Sequence, residues 1–191
     1  RQGWSVAPDD DAADMYEHAM ATLEGHGYRQ YEISNLARPG HACRHNLKYW
    51  RDGDWLAFGT GAHGARGDRR WRTVSATGDY IARVAAGESV VAEVYPRDRE
   101  TRLEEALFMA LRLTDGVDLA TIRDSYGVDV WTRYGTTLAP FVAAGWLVHE
   151  PGRRIFLTRR GMLVANDVMA ALVGPGAASG GSSETAGTKI R

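Results

Sequence analysis

Cysteine is almost missing from this 191-residue chain: Cys43 is the single one. One thiol cannot build a disulfide framework, and a reducing cytoplasm suits it. Charge of one sign is missing too. The 23 Lys and Arg nearly balance the 24 Asp and Glu, for a net charge of -1, so the chain as a whole is not built to bind a polyanion. No apolar run approaches the ~18 residues of a membrane-spanning helix. No basic stretch followed by an apolar segment opens the sequence, so no signal peptide is expected. No internal repeat is found. The chain opens on Arg1 rather than Met and enters a helical pattern within ten residues, which reads as the C-terminal piece of something longer. The remaining composition, 44% hydrophobic and 25% charged, suits one sizeable domain or two small ones.

Three zones are expected. In residues 1–75, Pro8 and Asp9-Asp10-Asp11 read as a helix start, because carboxylates favour the positive helix end. Met15, Ala19 and Leu23 share one face, and Gly25 and Gly27 stop the helix. Short β-prone runs follow at Tyr28–Ile33 and Trp55–Phe58, each ending in a polar or Gly-rich loop, where ligands sit in α/β folds. In residues 76–173, an amphipathic helix within Pro96–Gly116 turns Leu103, Leu107, Ala110 and Leu111 inward and ends at Gly116. Asp118 caps a second helix to Gly127, and a third runs near Trp131–Ala144 and closes at Gly145. Trp146–Glu150 and Arg153–Leu157 form a hairpin across Pro151-Gly152, and Thr158 caps a last helix. Three helices and a two-stranded wing suggest a winged-helix-like module. Residues 174–191 are rich in Gly, Ser and Ala and read as a disordered tail.

The chemistry concentrates in "CRHNLKYWRDGDWLAFGTGAHGA", Cys43–Ala65. Between Arg38 and Arg72 eight cations face three acids, beside several aromatic rings. Guanidinium groups pair with carboxylates and aromatics stack on flat rings, so a planar tetrapyrrole with carboxylate arms would suit both; a solvated basic loop would show the same counts. His41, Cys43 and His45 alternate, but no second pair stands at finger-like spacing to complete a structural zinc site. His45, or Cys43 as thiolate, could ligate haem iron; His45, Tyr49 and Trp50 could equally pack the loop. Gly59 and Gly61 allow close approach of a ligand to backbone, or merely a tight turn. In the last zone eleven Arg meet twelve acids between Tyr80 and Val173, and only Arg153, Arg154, Arg159 and Arg160 cluster. That balance speaks against nucleic acid as a partner and for a domain that docks on the first zone.

"GYRQYEISNLARPGHACRHNLKYW" followed by "WLAFGTGAHG" resembles the HemW family of haem chaperones, relatives of oxygen-independent coproporphyrinogen III oxidase in the radical S-adenosylmethionine (SAM) superfamily. Leu111–Leu119, Gly145–Leu147 and Leu157–Val168 resemble its C-terminal domain, so the likeness covers about residues 10–173. The resemblance implies an α/β fold: the last strands and helices of a partial (β/α) radical SAM barrel in residues 1–75, then a helical, winged-helix-like domain in 76–173. It links His45, Asn46, Tyr49 and Trp50 with haem handling. It places Gly59, Gly61, Ala62 and His63 near the SAM side of the barrel mouth, with Glu32 facing the same mouth. The superfamily holds a [4Fe–4S] cluster on three cysteines, which one cysteine cannot supply, so cluster and most SAM contacts are expected outside this chain, and the chain alone should not cleave SAM. The family usually reads G-A-H-S where this chain has Gly64. A cytoplasmic haem chaperone acting on acceptor haemoproteins is the leading implication. The alternatives are an oxidase converting coproporphyrinogen III to protoporphyrinogen IX and, more remotely, a winged-helix DNA-binding regulator.

Overall fold

The structure, a computed structural model, describes residues 7–173; the expected tail at 174–191 lies outside the described residues. Helix α1 spans Asp9–Gly25 with Asp9, Asp10 and Asp11 in its first turn. The face it buries is not the Met15–Ala19–Leu23 stripe. Met15 is 66% exposed and Leu23 38%, whereas Met20 is buried. Tyr16, one turn from Met20, decides this rotation: its hydroxyl donates to the Ile33 carbonyl at 2.8 Å and accepts from Gln30 Nε2 at 2.6 Å. A polar tip with an acceptor waiting inside turns that face inward.

Strand β1 (Arg29–Glu32) folds straight back on β2 (Asn35–Ala37) as a hairpin. The expected ligand loop after β1 is therefore a tight turn, and its edge is extended by a bridge from Glu32 to Leu113. Residues 44–50, expected as loop, form helix α2 (Arg44–Trp50). Trp55–Phe58, expected as a strand, is extended chain in which Trp55 alone pairs, with Ala65. Leu56 and Phe58 stand 63% and 79% exposed, because no second strand lies alongside them. Strands β3 (His63–Arg66), β4 (Arg69–Thr73) and β5 (Val91–Pro96) form an antiparallel meander, with helix α3 (Thr77–Ala86) between β4 and β5. The boundary expected at residue 75 falls inside this meander. Every strand pairing among the described residues is antiparallel, so the parallel ladder of a (β/α) barrel is not formed by them.

The remaining elements follow the sequence closely. Helix α4 (Arg99–Ala110) buries Leu103 and Leu107, joined at its end by Leu111. Strand β6 (Val117–Asp118) leads into α5 (Leu119–Tyr126), then α6 (Val130–Ala143), β7 (Leu147–Glu150) and β8 (Arg154–Leu157). The sheet order is β6-β8-β7. The expected last helix is two, α7 (Arg159–Leu163) and α8 (Ala165–Ala170), broken at Val164. One core joins both parts of the chain: Ile33 belongs to the same buried cluster as Leu103, Leu107, Leu111, Leu138 and Val168. Each such side chain contributes about 1.5–3 kcal/mol.

Local capping explains why α4, α5 and α6 start where they do. Asp98, Asp118 and Asp129 each accept the amide of the residue three on, Thr101, Thr121 and Thr132, at 2.7–2.8 Å. Those backbone hydrogen bonds hold all three carboxylates below the ordinary aspartate range. A depressed folded-state value means the caps stabilise fully above the ordinary pKa near 3.9 and lose that contribution as pH falls through the folded value. Helical circular dichroism should thus hold at pH 5 and decline only below about pH 4. Asp118→Asn, which keeps a capping oxygen that does not titrate, should shrink that step.

Candidate functional site

Helix α2 is short, has no buried residue and has no side-chain hydrogen bond at its N-cap, Cys43. Its position is set by what its side chains reach. His45 and Tyr49, one turn apart, share a hydrogen bond of 3.0 Å between Nε2 and the phenol oxygen. Tyr49 meets the Trp55 ring edge-on at 4.7 Å, and the Arg70 guanidinium lies 5.6 Å from the centre of that indole. The Trp55 Nε1 donates to the His63 carbonyl at 2.8 Å. An exposed imidazole, two aromatic rings and a cation thus line one open rim. Asn46 reaches Tyr31 at 3.5 Å. Trp50 turns the other way, beneath Arg112, whose guanidinium carbon is 4.4 Å from the ring centre. The structure brings His45 and Tyr49 together and sets Asn46 and Trp50 against the body of the protein.

The Gly-rich segment is held from within. The Gly59 amide donates to the Tyr80 hydroxyl at 3.1 Å, the Gly61 amide to the Val74 carbonyl at 2.9 Å, and the Ala62 amide to the buried Thr73 hydroxyl at 2.9 Å. Gly59 and Gly61 have φ of +91° and +64°, so the turn itself calls for glycine. These three amides are not free to cradle a ligand as the loop stands. His63 is exposed and starts β3.

Glu32 does not face an opening. It is fully buried, with Oε1 accepting from the Ser34 amide and the Asn35 side chain and Oε2 lying 3.4 Å from Arg112. A buried carboxylate needs such partners, and the one that matters most stands 80 residues away in sequence. His41, Cys43 and His45 do not form one face, because Cys43 precedes the helix on which His45 sits. Among the described residues no group of three or more His, Cys, Asp or Glu could hold a metal ion, and no helix is long and apolar enough to cross a membrane.

Gly64 has a physical reason. A Cβ there would stand 2.2 Å from the Trp71 ring, its cross-strand partner. Gly64→Ser should therefore cost about 1–3 kcal/mol in a thermal melt unless Trp71 swings away. The loss should shrink in a Trp71→Leu background.

Sequence reasoning missed Arg112, Arg97 and Asp52. Arg97 is buried between Asp52 at 2.6 Å and Glu105 at 2.5 Å, and Glu105 also pairs with Arg70 at 3.0 Å. Burial works to lower the Arg97 pKa, but the two carboxylates outweigh it and raise it. The signal in the sequence was the turn-prone pair Asp52-Gly53, two residues after the aromatic pair, where Asp52 takes φ +50°. Two clefts, of about 470 and 270 Å³, are lined by residues within 98–133 and 119–152 and by none of the motif residues.

Residues 98–164 match the HemN C-terminal domain family. The haem chaperone HemW of Bacillus subtilis (strain 168) is 34% identical over 169 residues, which cover 88% of this chain and 44% of that protein. HemW of Mycobacterium tuberculosis (strain CDC 1551 / Oshkosh) is 37% identical over 175 residues, 91% of this chain and 43% of that protein. The chain therefore spans less than half the length of these relatives. Coproporphyrinogen III oxidase (HemN) from Escherichia coli, a radical SAM enzyme, superposes with a TM-score of 0.67 over 83% of this chain and 40% of that one, at 17% identity, a likeness of fold alone. Residues 98–164 thus carry a HemN-type C-terminal domain, and over nearly nine-tenths of its length the chain is similar to HemW proteins.

Proposed function

We propose that this chain supplies the haem-binding face of a HemW-type haem chaperone, which passes haem to acceptor haemoproteins in the cytoplasm. The observation that carries this reading is the open rim formed by exposed His45 with Tyr49 and Trp55, flanked by Arg70. The residues fit the group: an imidazole can donate to iron, aromatic edges can flank a macrocycle, and guanidinium groups can pair with propionates. Haem supplies the iron and the flat apolar surface; the chain's part is to hold and orient them. His45 Nε2 is shared with Tyr49, so a role for that nitrogen requires the Tyr49 hydroxyl to move aside. Asn46 and Trp50 hold the helix that carries His45. On the SAM side we assign Gly59, Gly61 and Ala62 the shape of the wall rather than amide donation, with His63 as the exposed group and Glu32 as a buried strut.

The described residues do not fit a [4Fe–4S] cluster, since a single cysteine is present. Cluster and SAM belong, on this reading, to portions outside this chain, where a radical SAM barrel would be completed against residues 7–75. The sheet order β6-β8-β7, its strands interleaved with α4, α5 and α6, supports a winged-helix-like unit within residues 76–173 that docks on the first part through Ile33. Hemin titration of the intact protein should give a Soret band that His45→Ala weakens; an intact protein without a band would sink the reading. The fold likeness to HemN favours a second reading, oxidative decarboxylation of coproporphyrinogen III. Anaerobic incubation with that substrate and SAM should yield no vinyl products if the chaperone reading holds.

A further inference from the structure

Arg112 is the residue where the two parts of the chain meet. It follows α4, and its carbonyl accepts the Ile33 amide at 3.0 Å. Two residues on, the Thr114 amide donates to the Tyr31 carbonyl at 3.2 Å, so β1 is stitched along residues 112–114. This backbone seam brings the Arg112 side chain to two groups at once. Its Nη2 stands 3.4 Å from the sealed Glu32 carboxylate, and its guanidinium lies 4.4 Å from the centre of the Trp50 indole. Both Arg112 Nε and Trp50 Nε1 are shut away from solvent without a hydrogen-bond partner, so the contact between the two side chains is a buried one.

We propose that Arg112 is a positioning residue for the haem-binding helix: anchored on Glu32, it clamps Trp50 and so fixes the direction in which α2 presents His45. This deepens the haem reading and rests on it. The physical case is that α2, with seven residues and none of them buried, cannot fix itself. Its far end is held by this contact, and His45 stands five residues earlier on the same rigid turn and a half. Lysine would keep a cation for Glu32 but has no plane to lie on an indole, so Arg and Lys are not equivalent here.

The test is hemin titration of the intact protein with Arg112→Lys. The melting temperature should fall little, because Glu32 keeps its counter-charge, while hemin affinity should drop about tenfold. The double variant Arg112→Lys/Trp50→Phe should bind hemin no more weakly than the weaker single variant, because both act through one contact. Unchanged affinity in Arg112→Lys, or losses that multiply in the double variant, would overturn the proposal. A purely structural role would make affinity follow melting temperature. Hydrogen exchange on the wild-type protein gives a check that needs no variant: hemin should slow exchange at residues 47–50 and at 113–114 together, and protection of α2 alone would overturn the clamp. A wild-type protein with no Soret band defeats the haem reading itself, which is a separate outcome.

Discussion

Arg97→Ala should lower stability by about 3 kcal/mol. The side chain is 4% exposed and each of its nitrogens has an acceptor: Asp52, Glu105 and the Gly67 carbonyl at 3.3 Å. Removing it leaves two carboxylates, at 14% and 22% exposure, without the cation they share. Breaking a buried pair on one side costs about 3–5 kcal/mol. The lower end applies because Arg70 still reaches Glu105 at 3.0 Å and both acids keep some water contact. For a chain of this size that corresponds to a melting temperature lower by roughly 6–12 °C. Arg97→Lys should fall between, since one ammonium cannot serve both acids in the same plane. A loss under about 1 kcal/mol for Arg97→Ala would show that the three groups do not act as a unit. Because Asp52 follows α2 by two residues, the same variant should also loosen the helix that carries His45.

Gly116→Ala is expected to cost a comparable amount, about 2–5 kcal/mol, for a wholly different reason. Gly116 has φ +70°, which an L side chain adopts at a cost of about 1–2 kcal/mol. A Cβ there would also stand 2.1 Å from the Ile155 carbonyl and 2.5 Å from Phe156 Cβ. Backbone cannot swing aside as a side chain can, so β8 must shift, and overpacking of that kind adds about 1–3 kcal/mol. The shift would strike the β6–β8 pairing of Val117 with Ile155. Gly127→Ala is the control. It has nearly the same φ, +65°, but its nearest neighbour is the end of the Arg99 side chain at 3.3 Å. It should cost about 1–2 kcal/mol. Chemical denaturation of the two variants therefore separates conformational strain from collision, and equal losses would show that the close approach of β8 is immaterial.

These two sites also mark how far local pattern carries. Gly116 reads in the sequence as a helix terminator, yet α4 ends at Ala110 and the glycine is required by β8 passing over it. Gly127 and Gly145 read the same way and do serve as helix ends, with φ of +65° and +73°. Asp118 and Thr158 cap the helices assigned to them, accepting from Thr121 and Gly161. The Pro151-Gly152 hairpin forms, but Arg153 joins the turn, so Glu150 stands opposite Arg154. By contrast the candidate site was legible as a set of residues and not as a shape. Its helix, its sealed Glu32 and the occupied amides of Gly59, Gly61 and Ala62 all depend on partners elsewhere in the chain.

By itself the sequence determined the elements whose causes lie within three or four residues: caps, glycine ends, the hairpin turn and the leucine face of α4. It also carried the motifs that join this chain to its relatives. Only the tertiary structure decided which face of α1 is buried, that Trp55–Phe58 is no strand, that Gly64 makes room for Trp71, and that Arg112 and Arg97 brace α2. The reason is range. A cap is satisfied by the next turn of its own helix, whereas a buried carboxylate, an indole plane or an unpaired strand edge is settled by whatever the rest of the chain brings beside it, and no local pattern contains that neighbour.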